Sequence, residues 1–253
     1  MQTSFFPSQP KPYQGTYQPD NPNPYKVSRS KIELFQNCPR CFYLDRVKKV
    51  ARPSTPPFNI NSAVDSLLKA EFDIHRANGH KHPIQEEYGI DAEPAPHKEL
   101  DKWRENFHGI QYLHKGTNLL LFGAIDDLWI NSAGEYIVVD YKATAKNEPI
   151  TELGDAPWHN QYRRQIEFYQ WLLRQNDYKV SNTGYWVYCT GNPNAGSFDK
   201  KVEFDVHLIS YEGNDVWVEP VVHEAKACLN ATNVPAPTAG CEYCQYIDMA
   251  KQY

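Results

Sequence analysis

The sequence predicts a single α/β domain built on a central mixed β-sheet flanked by helices, and three observations carry that reading. Helix-period segments come first, followed by a meander of strand-like runs, one strong helix and then further strands. A chain of 253 residues is long enough for one substantial core, or at most two small ones. A hydrophobic fraction of 41% and 17 tyrosines belong to a folded globular protein in spite of a polar average.

Residues 1–25 are rich in Pro, Gln, Tyr and Asn and almost without aliphatic side chains. Such a segment cannot bury enough surface to order itself, so it predicts a disordered or extended tail, with the folded domain over 26–253. A helix starts after Ser28 or Ser30 and runs through KIELFQNCPRCFYLDRV, broken or bent near Pro39. The connector RPSTPPFNIN leads to a second helix, SAVDSLLKAEFDIHR, whose Val64, Leu67, Leu68 and Phe72 fall at helical spacing. Residues 77–105 are polar and give only a short helix around Lys98 to Phe107. Strands follow over 110–114, 118–130 and 135–142, then a helix over 159–176 and strands over 183–189 and 201–208. A helix over 212–230 precedes the C-terminal GCEYCQYIDMAKQY, and no internal repeat is present.

A formal charge of −5 does not favour a protein that coats nucleic acid nonspecifically. A local field is what phosphate contacts need, however, and Lys26, Arg29, Lys31, Arg40, Arg46, Lys48, Lys49 and Arg52 outnumber Glu33 and Asp45 over 26–52. That stretch reads either as a solvated basic helix face or as a DNA track. No apolar run approaches the ~20 residues of a membrane span, so no membrane partner is expected. The N-terminal MQTSFFPSQPKPYQ lacks the basic and apolar regions of a secretory signal. Six cysteines without a signal predict reduced thiols, some of them metal ligands, in a cytoplasmic protein. GxxxxGK[ST] does not occur, so the chain holds no ATP motor of that kind and any helicase coupling would need a separate subunit.

The stretch GAIDDLWINSAGEYIVVDYKAT, residues 123–144, reads as a hairpin with Ser132-Ala133-Gly134 as a three-residue loop. Closing that loop on Asn131 and Glu135 sets Asp126 opposite Asp140, with Lys142 on the same face and Asp127 on the other. Carboxylates facing each other at about 4.5–5.5 Å between Cβ atoms are destabilising. A divalent cation between them turns repulsion into coordination, and Mg²⁺ or Mn²⁺ prefers such oxygen ligands. The alternative is an edge hairpin whose charges face solvent.

Gly123-Ala-Ile-Asp126 followed by Val139-Asp140-Tyr141-Lys142 resembles the core of the PD-(D/E)xK nuclease superfamily. Gln165-Ile-Glu-Phe-Tyr169 is similar to the QxxxY motif of its RecB-like exonuclease branch, which includes the RecB and AddB nuclease domains and the CRISPR-associated spacer-processing exonucleases. The resemblance covers about residues 28–250 and implies a restriction-endonuclease-like fold. It implies that Asp126, Asp140 and the Tyr141 carbonyl ligate the metal, that Lys142 positions the attacking water, and that Gln165 and Tyr169 face the active site and DNA. Tyr169 also reads as core packing, since Ile166 and Leu173 share its stripe. Where the branch usually has a metal-binding His on an early helix, this chain has Asp65. Asp65 is expected as a third carboxylate near the metal, which would favour harder ions; a Ser62–Asp65 capping box is its other reading.

Cys38-Pro-Arg-Cys41 and Cys241-Glu-Tyr-Cys244 lie near opposite ends of the chain, and four thiolates so spaced suit tetrahedral Zn²⁺ or an iron–sulfur cluster. The resemblance implies a [4Fe–4S] cluster stapling the ends together, although the branch takes one N-terminal and three C-terminal cysteines. Here Cys41 would replace the last of them. Four unliganded thiols are the third reading. Cys189 and Cys228 read as ordinary buried thiols.

Together these expectations describe a Mg²⁺- or Mn²⁺-dependent deoxyribonuclease acting on DNA ends or single strands, in repair, recombination or defence. Arg163 and Arg164, with Lys48 and Lys49 of the basic stretch, are its candidate phosphate contacts; surface solubility accounts for them equally. The rival readings are a catalytically inactive nucleic-acid-binding subunit of the same fold, and a metal-stapled interaction module.

Overall fold

A computed structural model describes residues 11–54 and 59–253. The described residues group into two compact units, the first from residues 11–54, 111–122 and 219–253, the second from 59–110 and 123–218.

The first unit is built on a three-stranded sheet. β1 (Tyr25–Ser28) runs parallel to β4 (Leu119–Gly123), which has β3 (Ile110–His114) on its other side. The helix expected through KIELFQNCPRCFYLDRV is two helices, α1 (Arg29–Asn37) and α2 (Pro39–Val47). Cys38 between them is extended, and Pro39 opens α2, where its missing N–H goes unfelt. α7 (Val218–Leu229) and α8 (Glu242–Ala250) complete the helices of this part of the chain. The last-but-one helix therefore starts later than expected, after a 3₁₀ turn at Asp215–Trp217.

The first ten residues of the expected tail lie outside the described residues, but from Tyr13 the tail is not loose. Tyr13 bridges to Tyr25, and Tyr17 is buried with its hydroxyl 2.6 Å from Asn230 Oδ1. Aromatic side chains supply here the burial that the missing aliphatics suggested was lacking.

The second unit holds a five-stranded sheet in the order β2-β5-β6-β7-β8. These are β2 (Glu93–Pro94), β5 (Asp127–Ile130), β6 (Tyr136–Ala145), β7 (Thr183–Gly191) and β8 (Phe204–Glu212). β6 and β7 are parallel and joined through α6 (Pro157–Gln175), while the other pairings are antiparallel. α3 (Asn59–Asn78) packs Leu68 and Phe72 against Trp129, Val139 and Tyr141 of the sheet. α4 (Pro83–Glu87) and α5 (Leu100–Trp103) are short, so the helix expected over Lys98–Phe107 shrinks to one turn.

Two expectations on α3 change. Part of the proline-rich connector, residues 55–58, lies outside the described residues. The helix includes Asn59, so Ser62 is interior and cannot head a capping box with Asp65. Leu67, expected on the buried stripe, is 69% exposed, and Ile60 and Ile74, one heptad away on either side, are exposed too.

The strand expected over 118–130 is also two strands. β4 ends at Gly123 and β5 starts at Asp127, in a different sheet. The intervening backbone finds other partners: Ile125 N–H donates to Trp103 O, and the Asp126 carbonyl accepts from Arg104 Nε at 3.0 Å. Gly109, at φ +61°, touches this bend so closely that a Cβ would lie 2.3 Å from Gly123 O.

Candidate active site

The β5–β6 hairpin has the register set by its turn. Asp127 pairs with Val139 and Ile130 with Tyr136, Gly134 adopts φ +74°, and Asn131 N–H closes onto Glu135 O. Asp126 falls one step beyond the ladder, beside Asp140, and its Oδ2 accepts the Tyr141 N–H at 2.9 Å.

Asp140 is fully buried, and among the described residues its carboxylate oxygens meet no donor other than an ion-pairing lysine. That lysine is Lys142. Burial, against the attraction of Lys142 and with the repulsion of Asp126, pushes the Asp140 pKa up to about 7. Burial opposes the Lys142 charge, but Asp140 and Asp126 outweigh it and raise the lysine pKa. Lys142 Nζ also lies 3.4 Å from Gln165 Oε1 and 4.6 Å from the centroid of the Tyr162 ring. Gln165 Nε2 donates in turn to the Tyr169 hydroxyl at 3.3 Å, and Tyr169 is buried. Gln165 and Tyr169 thus form one polar chain ending on the lysine, as well as part of the α6 packing face.

From α3, Asp65 enters the same cleft, a space of about 540 Å³ lined by Asn61, Asp65, Asp126, Tyr141, Lys142 and Tyr162. Burial and the neighbouring Asp126 raise the Asp65 pKa. Lys69, one turn along α3, places its ammonium 2.8 Å from Asp65 and 3.6 Å from Asp126. Asp65 and Asp126 line this cleft and Asp140 lies buried beside Asp126, and oxygen donors of this kind suit a hard divalent cation. Asp65, Asp126, Asp140 and the Tyr141 carbonyl are the groups available to hold it.

Asp127 points away from this cleft, as alternation requires, yet it is the best-connected carboxylate of the hairpin. Fully buried, it binds Arg76, Arg104 at 2.9 Å, the Tyr141 hydroxyl at 2.7 Å and its neighbour's amide at 2.8 Å. Arg104 also grips Asp73 and the Asp126 carbonyl, so the network fixes the bend that carries Asp126. Reading the sequence missed Arg76, Arg104, Lys69 and Tyr162. Lys69 and Arg76 had local signals, their i+4 and i+3 spacings from Asp65 and Asp73.

The chain matches the model of the PD-(D/E)XK nuclease superfamily over residues 62–249. It belongs to that superfamily. No curated protein matches it. Members of the superfamily are nucleases that use divalent metals and act on nucleic acid, and the mixed α/β architecture with its buried cysteine group accords with membership. The matched span takes in Asp65, Asp126, Asp140, Lys142, Gln165 and Tyr169.

The expected phosphate contacts fare unevenly. Arg163 is engaged by the Leu153 and Gly154 carbonyls and by Asn160. Lys48 and Lys49 are exposed at the end of α2, with Lys48 5.8 Å over the Tyr43 ring. Much of the remaining basic stretch is committed within its own unit: Lys31 and Arg46 to Asp45, Arg40 to Asp248, Arg52 to Cys241.

Cys38, Cys41, Cys241 and Cys244 converge in the first unit, their sulfurs all within 4.8 Å of one another. Burial pushes the Cys38 thiol up, but amides of Cys41 and Thr238 and the neighbouring thiols outweigh it and bring the pKa to about 6. Burial raises the Cys189 and Cys228 thiols to about 11, in keeping with inert packing. Among the described residues no helix is long and apolar enough to cross a membrane.

Proposed function

We propose that the protein is a Mg²⁺- or Mn²⁺-dependent deoxyribonuclease acting on DNA ends or single strands. The observation that carries this reading is the fully buried carboxylate of Asp140, ion-paired with Lys142 and set beside Asp126. A core that merely packed would gain little from such a group, because a buried ion pair with few further hydrogen bonds is costly to desolvate. The cation, when bound, would supply Lewis acidity at the phosphate. Asp126, Asp140 and Asp65 would hold it, with the Asp126 carboxylate fixed by the Tyr141 amide.

Lys142 orients the attacking water and offsets charge developing on the phosphate oxygens. Gln165 fixes the lysine from one side and Tyr162 from another, which restricts the ammonium to the cleft. Arg164 and the exposed Lys48 and Lys49 are proposed to meet the DNA backbone, with Arg163 acting through the 153–154 loop it holds. Any helicase coupling would come from a separate subunit in a repair or defence setting.

The test is labelled single- and double-stranded DNA incubated with the purified protein in Mg²⁺, in Mn²⁺ and in EDTA, beside Lys142→Ala. Cleavage that requires metal and falls by at least about 100-fold in the variant is the expected outcome. Metal-independent cutting, or full activity in Lys142→Ala, overturns the mechanism. DNA binding without turnover under every condition selects the inactive-subunit reading.

A further inference from the structure

We infer that Cys38, Cys41, Cys241 and Cys244 bind a single tetrahedral Zn²⁺ rather than the iron–sulfur cluster that the family resemblance implies, with Arg52 as its charge-balancing neighbour. The argument is one of distance. With Zn–S bonds of about 2.3 Å, a tetrahedral ion sets its four sulfurs about 3.8 Å apart. Cys41 and Cys244 stand 3.6 Å apart, Cys41 and Cys241 3.7 Å, and Cys38 and Cys244 3.8 Å. No pair of the four exceeds 4.8 Å. In a [4Fe–4S] centre each thiolate binds a different iron at the corner of a cube. The four sulfurs must then surround eight core atoms and stand well beyond one tetrahedral edge. These side chains enclose one ion, not a cube.

The backbone repeats the same device twice. Cys38 is the N-cap of α2 with Cys41 in its first turn, and Cys241 is the N-cap of α8 with Cys244 in its first turn. Each helix start directs its positive end at a pair of thiolates, which stabilises the ligating form. Four thiolates around Zn²⁺ leave a net charge of −2. Arg52 answers it, donating to Cys241 Sγ at 3.5 Å while its guanidinium lies 4.4 Å over the Tyr243 ring. Such outer partners fix ligand orientation and commonly govern retention of the metal. Zinc has no redox change, so the centre is a staple between sequence-distant segments rather than an electron carrier.

The experiment is elemental analysis and visible absorption on full-length protein purified anaerobically from iron-supplemented cells. One zinc per chain in a colourless sample is expected, and exchange for Co²⁺ should give the intense absorption of a tetrahedral tetrathiolate site. A brown protein with about four irons per chain overturns the inference, as does a folded, metal-free protein whose four thiols all react with a thiol reagent. Arg52→Gln should lose zinc to a competing chelator about 10-fold more readily than the wild type; retention equal to wild type removes Arg52 from the site. None of these readouts uses nuclease activity, so the zinc assignment and the nuclease reading stand or fall separately.

Discussion

Asp140 shows how a single residue can advertise a site through its discomfort. In the metal-free protein its pKa is raised to about 7, chiefly by burial, against about 3.9 for an unfolded aspartate. Between those values the folded state holds a proton that the unfolded state has released, so this group's contribution to stability falls as pH rises from about 4 to about 7. Thermal melts in EDTA should show that slope, and Asp140→Asn should flatten it. Adding Mg²⁺ should raise the melting temperature most above pH 7, where the carboxylate is ionised. An EDTA profile with no difference between wild type and Asp140→Asn would contradict this account. Asp127 is the opposite case, a buried carboxylate that is fully satisfied. Removing it in Asp127→Ala strands Arg76 and Arg104, each about 10% exposed, without their shared partner. Breaking a buried pair in this way costs about 3–5 kcal/mol, to be read from denaturant unfolding. The sequence distinguished these two aspartates by alternation alone; it could not reveal the arginines, because both reach Asp127 from elements distant in the chain.

At the level of elements, the hairpin and α6 were legible because their signals are local: a turn with Gly at its left-handed position, and a long stripe at helical spacing. The break between β4 and β5 was not, since the apolar run continues through it. Only the partners of Ile125 and Asp126, which come from the segment around Trp103 and Arg104, divide it. Leu67 was misread for a related reason: helical spacing identifies a stripe, but only the sheet decides which side of it is covered. The contact of α6 with β7 carries a prediction of its own. A Cβ on Gly184 would lie 2.6 Å from Ile166 Cγ2, and Ile166 is next to Gln165. Gly184→Ala should therefore shift α6, costing about 1–3 kcal/mol as overpacking does. It should also lower cleavage by weakening the Gln165 hold on Lys142. A variant as stable and active as wild type would mean that the helix moves without disturbing the site.

Across the whole molecule, composition misled most at the N-terminal segment. Low aliphatic content there suggested a chain with nothing to bury, yet Tyr17 is 4% exposed and Tyr25 is 1% exposed. The hydroxyl of Tyr17 meets Asn230 at 2.6 Å and Lys226 at 2.5 Å, and Tyr17 N–H donates to Arg46 O at 2.8 Å. Residues near the start of the chain are thereby tied to α2 and to the neighbourhood of α7, the same first unit that holds the cysteine centre. Burying one large side chain is worth about 1.5–3 kcal/mol, and the hydroxyl adds about 0.5–1.5 kcal/mol. A chain shortened to begin at Tyr25 should accordingly melt at lower temperature, and Tyr17→Phe should recover part of the loss by keeping the ring and forfeiting only the hydrogen bonds. Calorimetry on the three proteins separates the two contributions. If the shortened chain melts with the full-length one, the aromatic contacts of Tyr13 and Tyr17 add nothing to the fold, and the reading of this segment as an extended tail returns.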